Sequence, residues 1–231
     1  LLREEINEAP ASESAETAAR MLSFDLEGYV RADDEVLWRW LENRPKWEYV
    51  EERLLRSMLE TAEEKYLSRA ERLALGNDPS RAYTVGRIFK YLEEPRRAIP
   101  LLEYALETPQ HTRLRSKVVT TLFSSYLGTR KWKDAEAIFP EVAGQLTPAE
   151  VPEWYARLAV SAARAGAKTD AMRIWRRAAN LCPYRVDQLR ELAKAGLENE
   201  LKDFYQQMQR QMPSSRAPAR ALAVLQNKSR R

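Results

Sequence analysis

The sequence predicts an all-α protein built around stacked helical hairpins, and three observations carry this. The 231 residues run in long stretches of Leu, Ala, Glu, Arg and Lys, all good helix formers. No segment alternates β-branched and polar residues with period 2, so no sheet is expected. One apolar pattern occurs three times, its copies marked by Ala98, Ala135 and Ala171 at spacings of 37 and 36 residues.

Taken in order, residues 1–11 are mostly polar, end in Ala9-Pro10-Ala11 and are expected to form a flexible lead-in. Residues 12–79 read as an acidic helical region. A helix is expected over 13–31 and another over 34–43, with Asp33 as its candidate N-cap and Val36, Leu37, Trp40 and Leu41 on one face. Residues 46–75 contain no helix breaker. Trp47, Val50, Leu54, Met58, Ala62, Tyr66, Ala70 and Leu73 keep a three-to-four spacing that fits one long helix or a tight pair. This stretch also has the offsets of a degenerate repeat over 46–79. Gly76, Gly128, Gly144, Gly166 and Gly196 each follow an apolar stretch, where a left-handed cap residue belongs. Pro45, Pro79, Pro95, Pro148 and Pro183 fall near helix starts or just past helix ends. Residues 184–212 read as capping helices, 184–195 and 197–211, separated at Gly196. Residues 213–231 read as a mobile basic tail with a short helix over 219–226.

The repeat occupies 80–183. Its first copy is Ala82-x-x-Val85-Gly86-x-x-Phe89, then Ala98-x-x-x-Leu102-x-x-Ala105, then Pro109. The second is Val119-x-x-Leu122-Phe123-x-x-Tyr126, Ala135-x-x-x-Phe139-x-x-Val142, Pro148. The third is Tyr155-x-x-Leu158-Ala159-x-x-Ala162, Ala171-x-x-x-Trp175-x-x-Ala178, Pro183. Each copy describes two helices that bury one stripe apiece. Small residues (Gly86, Ala98, Ala159, Ala171) let the backbones approach, and large ones fill the gap to the next pair. One pair cannot bury its outer face, so copies are expected to stack.

At these residues the chain resembles the tetratricopeptide repeat (TPR) family. The resemblance implies a right-handed α–α solenoid and a non-enzymatic protein–protein interaction scaffold or adaptor. It also implies that the first helix of each repeat lines a concave groove. That face carries Tyr83, Arg87, Lys90 and Tyr91, then Lys117, Thr121 and Ser124, then Arg157, Val160 and Arg164, with Arg190 and Lys194 from the capping helix. Arginine and lysine on rigid helices suit carboxylate capture, so an acidic peptide or helix is the expected partner; an ordinary solvated surface is the competing reading. The sequence departs from the family in its longer period, against about 34 residues, with the extra residues placed at 108–113 and 146–150. It departs too in Ala82 and Val119, where an aromatic is usual, and in Phe123, where a small residue is usual. A half-a-TPR repeat of the kind found in RNA-processing proteins stays open. The TPR groove that holds a chaperone's C-terminal carboxylate uses Lys, Asn, Asn, Lys and Arg. Here the matching positions are Tyr83, Arg87, Thr121, Glu153 and Arg157, so chaperone-tail binding is not expected.

Charge divides the chain. Residues 1–79 hold 11 Lys/Arg against 19 Asp/Glu, and residues 80–231 hold 27 against 15. The basic part sustains nucleic-acid binding as an alternative function, with Tyr/Arg pairs to stack bases. A regulatory or targeting domain of a larger enzyme is a further alternative. The chain starts at Leu1 rather than Met and reads as a fragment or processed chain, for which the loss of a targeting segment stays open; the cytoplasm is the default compartment. A single Cys excludes a disulfide framework and a cysteine zinc site. Seven Gly with no Gly-rich loop argue against a phosphate cradle. No metal or cofactor is expected. His111, the single histidine, stands in an inter-repeat turn without metal spacing around it. Cys182 reads as a small buried packer, and Trp38, Trp40 and Trp47 as core. No carboxylate pair suggests acid–base work, and no apolar run is long enough to span a membrane.

Overall fold

The computed structural model describes residues 2–8, 12–24, 31–44, 49–60, 62–75, 78–108, 112–182 and 186–226. They form helices and turns, with no strand among them. The chain divides into two compact units, residues 1–122 and 123–231.

The first unit contains α1 (Leu2–Glu8), α2 (Glu13–Phe24), α3 (Glu35–Asn43), α4 (Tyr49–Leu59), α5 (Glu64–Ala74), α6 (Pro79–Tyr91) and α7 (Pro95–Glu107). The expected lead-in is therefore largely a helix. Glu4 and Glu5 favour its N-terminal turn through the helix dipole. Ile6 is buried, and α1 packs on α2 and α3. The N-cap of α3 is Asp34 rather than Asp33: its side chain accepts from the Val36 and Leu37 amides at 3.2 and 3.3 Å. Trp38 and Trp40 are core residues, and the Trp38 indole donates to the Ala32 carbonyl at 2.7 Å. Trp47, Pro45, Gly76 and residues 25–30 of the helix expected over 13–31 lie outside the described residues; Arg31, expected to end that helix, is not helical.

Residues 49–74 form two helices, α4 and α5, not one. The acidic excess of this region has a structural use. Arg44 bonds Glu51 on α4 at 2.9 Å and Glu16 on α2 at 3.1 Å. Arg69 bonds Glu35 at 2.8 Å and Glu42 at 2.9 Å on α3. Arg97 on α7 bonds Glu71 at 2.9 Å and also Glu64. Burial works against the Arg44 charge, but Glu51 and Glu16 outweigh it and hold its pKa above the ordinary value. Each arginine thus clamps two carboxylates from outside its own helix, and these carboxylates are already engaged within the unit.

The α6 and α7 helices pack closely against each other. Pro79 and Pro95 open the two helices, where a missing N–H costs nothing. The Asp78 side chain accepts from the Ser80 amide at 2.8 Å. A Cβ on Gly86 would lie 2.9 Å from Leu102 Cγ and 3.3 Å from the Ala98 carbonyl, so this glycine sets how near the helices come. Gly86→Ala gains helix propensity of about 1 kcal/mol but must displace Leu102 at a cost of about 1–3 kcal/mol. The expected net result is a loss of about 1 kcal/mol, read by urea denaturation; a gain in stability would show the contact to be loose.

The α8 helix (Thr112–Gly128) contains the division between the units. The second unit continues with α9 (Trp132–Ala143), α10 (Val151–Arg164), α11 (Lys168–Leu181), α12 (Val186–Leu192), a π-turn over Ala193–Leu197, α13 (Glu198–Gln211) and α14 (Arg216–Gln226). Gly196 has φ +84°, so the expected break between the capping helices is a left-handed kink. The segment expected to be a mobile tail carries α14, which starts three residues earlier than expected and packs on α12 and α13. Pro218, Ala221 and Leu225 form its buried stripe, and residues 227–231 lie outside the described residues.

The turn ending the first helix of each copy has one design. The Glu94, Lys131 and Ala167 amides donate to the Phe89, Tyr126 and Ala162 carbonyls at 2.8, 2.9 and 3.0 Å. Glu93, Arg130 and Gly166 stand one residue before those amides with φ of 60°, 62° and 83°. This is the 6→1 bond of a Schellman cap with its left-handed residue. The left-handed residues repeat at the 37- and 36-residue spacing of the sequence pattern. Gly128 and Gly144 are not left-handed, against expectation; in the second copy that place falls to Arg130, two residues beyond Gly128. The apolar pattern is buried at every quoted position within the helices except Tyr155, which is half-buried. His111, Pro109 and Pro183 lie outside the described residues.

Candidate functional site

The α10 helix opens with a local cap: Glu150 accepts from the Thr147 amide at 2.8 Å and from its hydroxyl at 2.7 Å. Its inner side (Ala156, Leu158, Ala159, Ala162, Ala163) is buried, and the helix packs on α11. Small side chains are what permit that approach. Under its start, Phe123, Phe139, Trp154 and Tyr155 form an aromatic cluster. Ring centroids are 5.5 Å apart for Phe123–Phe139, 5.3 Å for Phe123–Trp154 and 4.5 Å for Phe139–Tyr155, within the favourable range for aromatic pairs. The Ser161 hydroxyl donates to the Leu127 carbonyl at 3.1 Å and ties α10 to the end of α8.

This framework supports a cleft of about 310 Å³ in the second unit. It is lined from the end of α8 by Ser124, Leu127 and Gly128, from α10 by Arg157, Val160, Ser161 and Arg164, and from α12 by Asp187, Gln188 and Glu191. Four residues assigned from sequence to the groove face, Ser124, Arg157, Val160 and Arg164, thus share one concavity. Sequence reasoning missed the Asp187, Gln188 and Leu127 contributions. An i, i+1, i+4 row on a capping helix was the available signal for the α12 wall.

The charges differ in their engagement. The Arg157 guanidinium lies 5.0 Å from the centroid of the Trp154 ring and has no carboxylate partner among the described residues. The aromatic face steadies the cation without occupying its hydrogen-bonding edge. Arg164 bonds Glu191 at 2.7 Å, and Lys194 bonds the same carboxylate at 2.8 Å. Lys194 and then Arg164 hold the Glu191 pKa down to about 2. Arg190 stands 3.9 Å from Asp187, whose side chain is 89% exposed.

In the first unit, Tyr83 is buried, 8% exposed, and offers no groove side chain; Arg87 covers its ring with the guanidinium 5.6 Å from the centroid. Arg87 is itself bonded to Glu52 on α4, and this bond, against the pull of burial, raises its pKa. Lys90 is half-buried and Lys117 is exposed. The Thr121 hydroxyl donates to the Lys117 carbonyl at 2.8 Å. Tyr91 is 60% exposed, with the Arg56 guanidinium 4.8 Å from its ring centroid.

A second concavity in the second unit, about 360 Å³, is lined by Lys168, Met172, Arg173, Arg176, Leu197 and Glu200, among others. Two of its cations are committed elsewhere. Lys168 donates to the Gly196 carbonyl at 3.1 Å, and Arg173 bonds both Glu136 oxygens at 2.7 and 2.8 Å. Cys182 is half-buried, not fully buried as expected. No His/Cys/Asp/Glu group among the described residues is arranged to hold a metal ion. None of the described helices is long and apolar enough to cross a membrane.

No protein-family model matches the chain, and no curated protein or solved structure matches it significantly.

Proposed function

We propose that the chain is a non-enzymatic protein–protein interaction scaffold: a TPR-like solenoid of stacked helical hairpins that holds an acidic peptide or helix of a partner. The observation that carries this reading is Arg157 in the cleft between α8, α10 and α12, which has no carboxylate partner among the described residues. A guanidinium held on an aromatic ring is pre-positioned for bidentate carboxylate binding. Leu127 and Val160 supply apolar floor, and Gln188 supplies an amide for the peptide backbone. The matching turns after Phe89, Tyr126 and Ala162 support the repeat that would set the helices side by side.

The exposed Tyr91 under Arg56 favours a second reading, single-stranded RNA stacked on the tyrosine. One experiment separates the two: affinity capture from native lysate with and without nuclease, read by mass spectrometry. Nuclease-resistant recovery of a few proteins is expected. Loss of all captured material on nuclease treatment would put RNA first, and binding that falls steeply with salt would agree with it.

A further inference from the structure

The charge arrangement of the α8–α10–α12 cleft says more about its occupant. Its lining carries two cations on the α10 wall, Arg157 and Arg164, and two carboxylates on the α12 wall, Asp187 and Glu191. The formal charge of the lining is therefore balanced, although the second unit as a whole is basic. An all-acidic segment would gain at Arg157 and lose at Asp187. At one end the walls already neutralise each other through Arg164–Glu191 at 2.7 Å, with Lys194 on the same carboxylate. The other end is less committed. Among the described residues, Arg157 has an aromatic ring and no carboxylate as its charge partner, and Asp187 stands 3.9 Å from Arg190.

We infer that this cleft takes a segment of a protein partner carrying both an acidic and a basic side chain, the acid on Arg157 and the base on Asp187. The inference rests on the reading of the cleft as a peptide site and names the chemistry of what enters it. Opposite charges on facing walls select by register as well as by attraction, because a segment shifted to bring like charges together is repelled. Two exposed charges give modest affinity and larger discrimination, so specificity is what the pair contributes.

The test uses the full chain and three labelled peptides of equal length: oligoglutamate, oligolysine and an alternating Glu/Lys peptide. The alternating peptide presents opposite charges at every odd spacing, so no particular wall separation is assumed. Affinities are read by fluorescence anisotropy at physiological ionic strength. The alternating peptide is expected to bind tightest. Arg157→Gln and Asp187→Asn are each expected to weaken it by about threefold to tenfold. Asp187→Asn is expected to tighten oligoglutamate by a similar factor, because a repulsion is removed. Both side chains are exposed, so thermal melts are expected to be unchanged. Oligoglutamate binding tightest, with its affinity dependent on Arg157 and indifferent to Asp187, would overturn the dual-charge inference and leave the acidic-peptide reading standing. Indifference of all three peptides to Arg157→Gln, or no binding by any of them, would overturn both.

Discussion

Replacing Ala171 with Arg is expected to destabilise the second unit by about 3–5 kcal/mol. Ala171 is fully buried on α11, which packs against α10. A longer side chain there overfills the interface at about 1–3 kcal/mol, and an unpaired cation adds a desolvation cost of several kcal/mol unless it escapes to water. At about 2–4 °C per kcal/mol for a chain of this size, the melt should fall by roughly 10 °C. The neighbouring Thr169 is exposed on the same helix, and Thr169→Arg is expected to stay within about 0.5 kcal/mol of the parent. Equal melts for the two variants would show that the repeat register is misplaced.

Arg44→Ala is expected to cost about 3 kcal/mol, read from urea denaturation. Its partner Glu51 has a side chain only 2% exposed, and removing the cation leaves a buried carboxylate without its arginine. Breaking a buried pair from one side costs about 3–5 kcal/mol, and the remaining 20% exposure of Arg44 puts the expectation at the lower end. Arg44 also reaches Glu16, so the loss removes a polar tie between α2 and α4, which stay packed through their buried apolar faces. Lys is not an adequate replacement, since one ammonium does not reproduce the fork that meets two carboxylates. Arg97→Ala provides the comparison. Its partners Glu64 and Glu71 are 72% and 28% exposed, both more open to water than Glu51, and about 1 kcal/mol is expected there. A loss below about 0.5 kcal/mol for Arg44→Ala would mean that Glu51 is satisfied without it.

The helical class was legible in the sequence because it rests on local periodicity. Ala98, Ala135 and Ala171 are all buried, and the left-handed residues Glu93, Arg130 and Gly166 recur at the same 37- and 36-residue spacing. The identity of the turn residues was not legible. A glycine signal pointed to Gly128, whereas the left-handed residue is Arg130, held there by the amide of Lys131 and by the packing of the flanking helices. Pro100 and Pro140 lie inside α7 and α9, where proline normally ends a helix; tertiary packing overrides the local preference. α1 and α14 were read as loose ends because their buried stripes are short. Ile6 in one, and Pro218, Ala221 and Leu225 in the other, are too few to stand out before their packing partners are known.

The candidate site was legible in part. Its basic residues were named from their helical positions, which is a matter of register. Their partners were not, because Glu52 on Arg87 and Glu191 on Arg164 come from other helices. A count of cations therefore overstated how much positive charge faces a ligand. Arg157 stands out only once those pairs are seen, and Asp187 only once α12 is seen beside α10.

The proposed protein-partner reading rests most directly on Arg157. Its most direct test is nuclease-treated affinity capture with the parent chain and with Arg157→Glu, each with a thermal melt. Partners held by the parent and lost by the variant, with melts that agree within a few degrees, are the expected result. An unchanged set of captured proteins on the folded variant would contradict it.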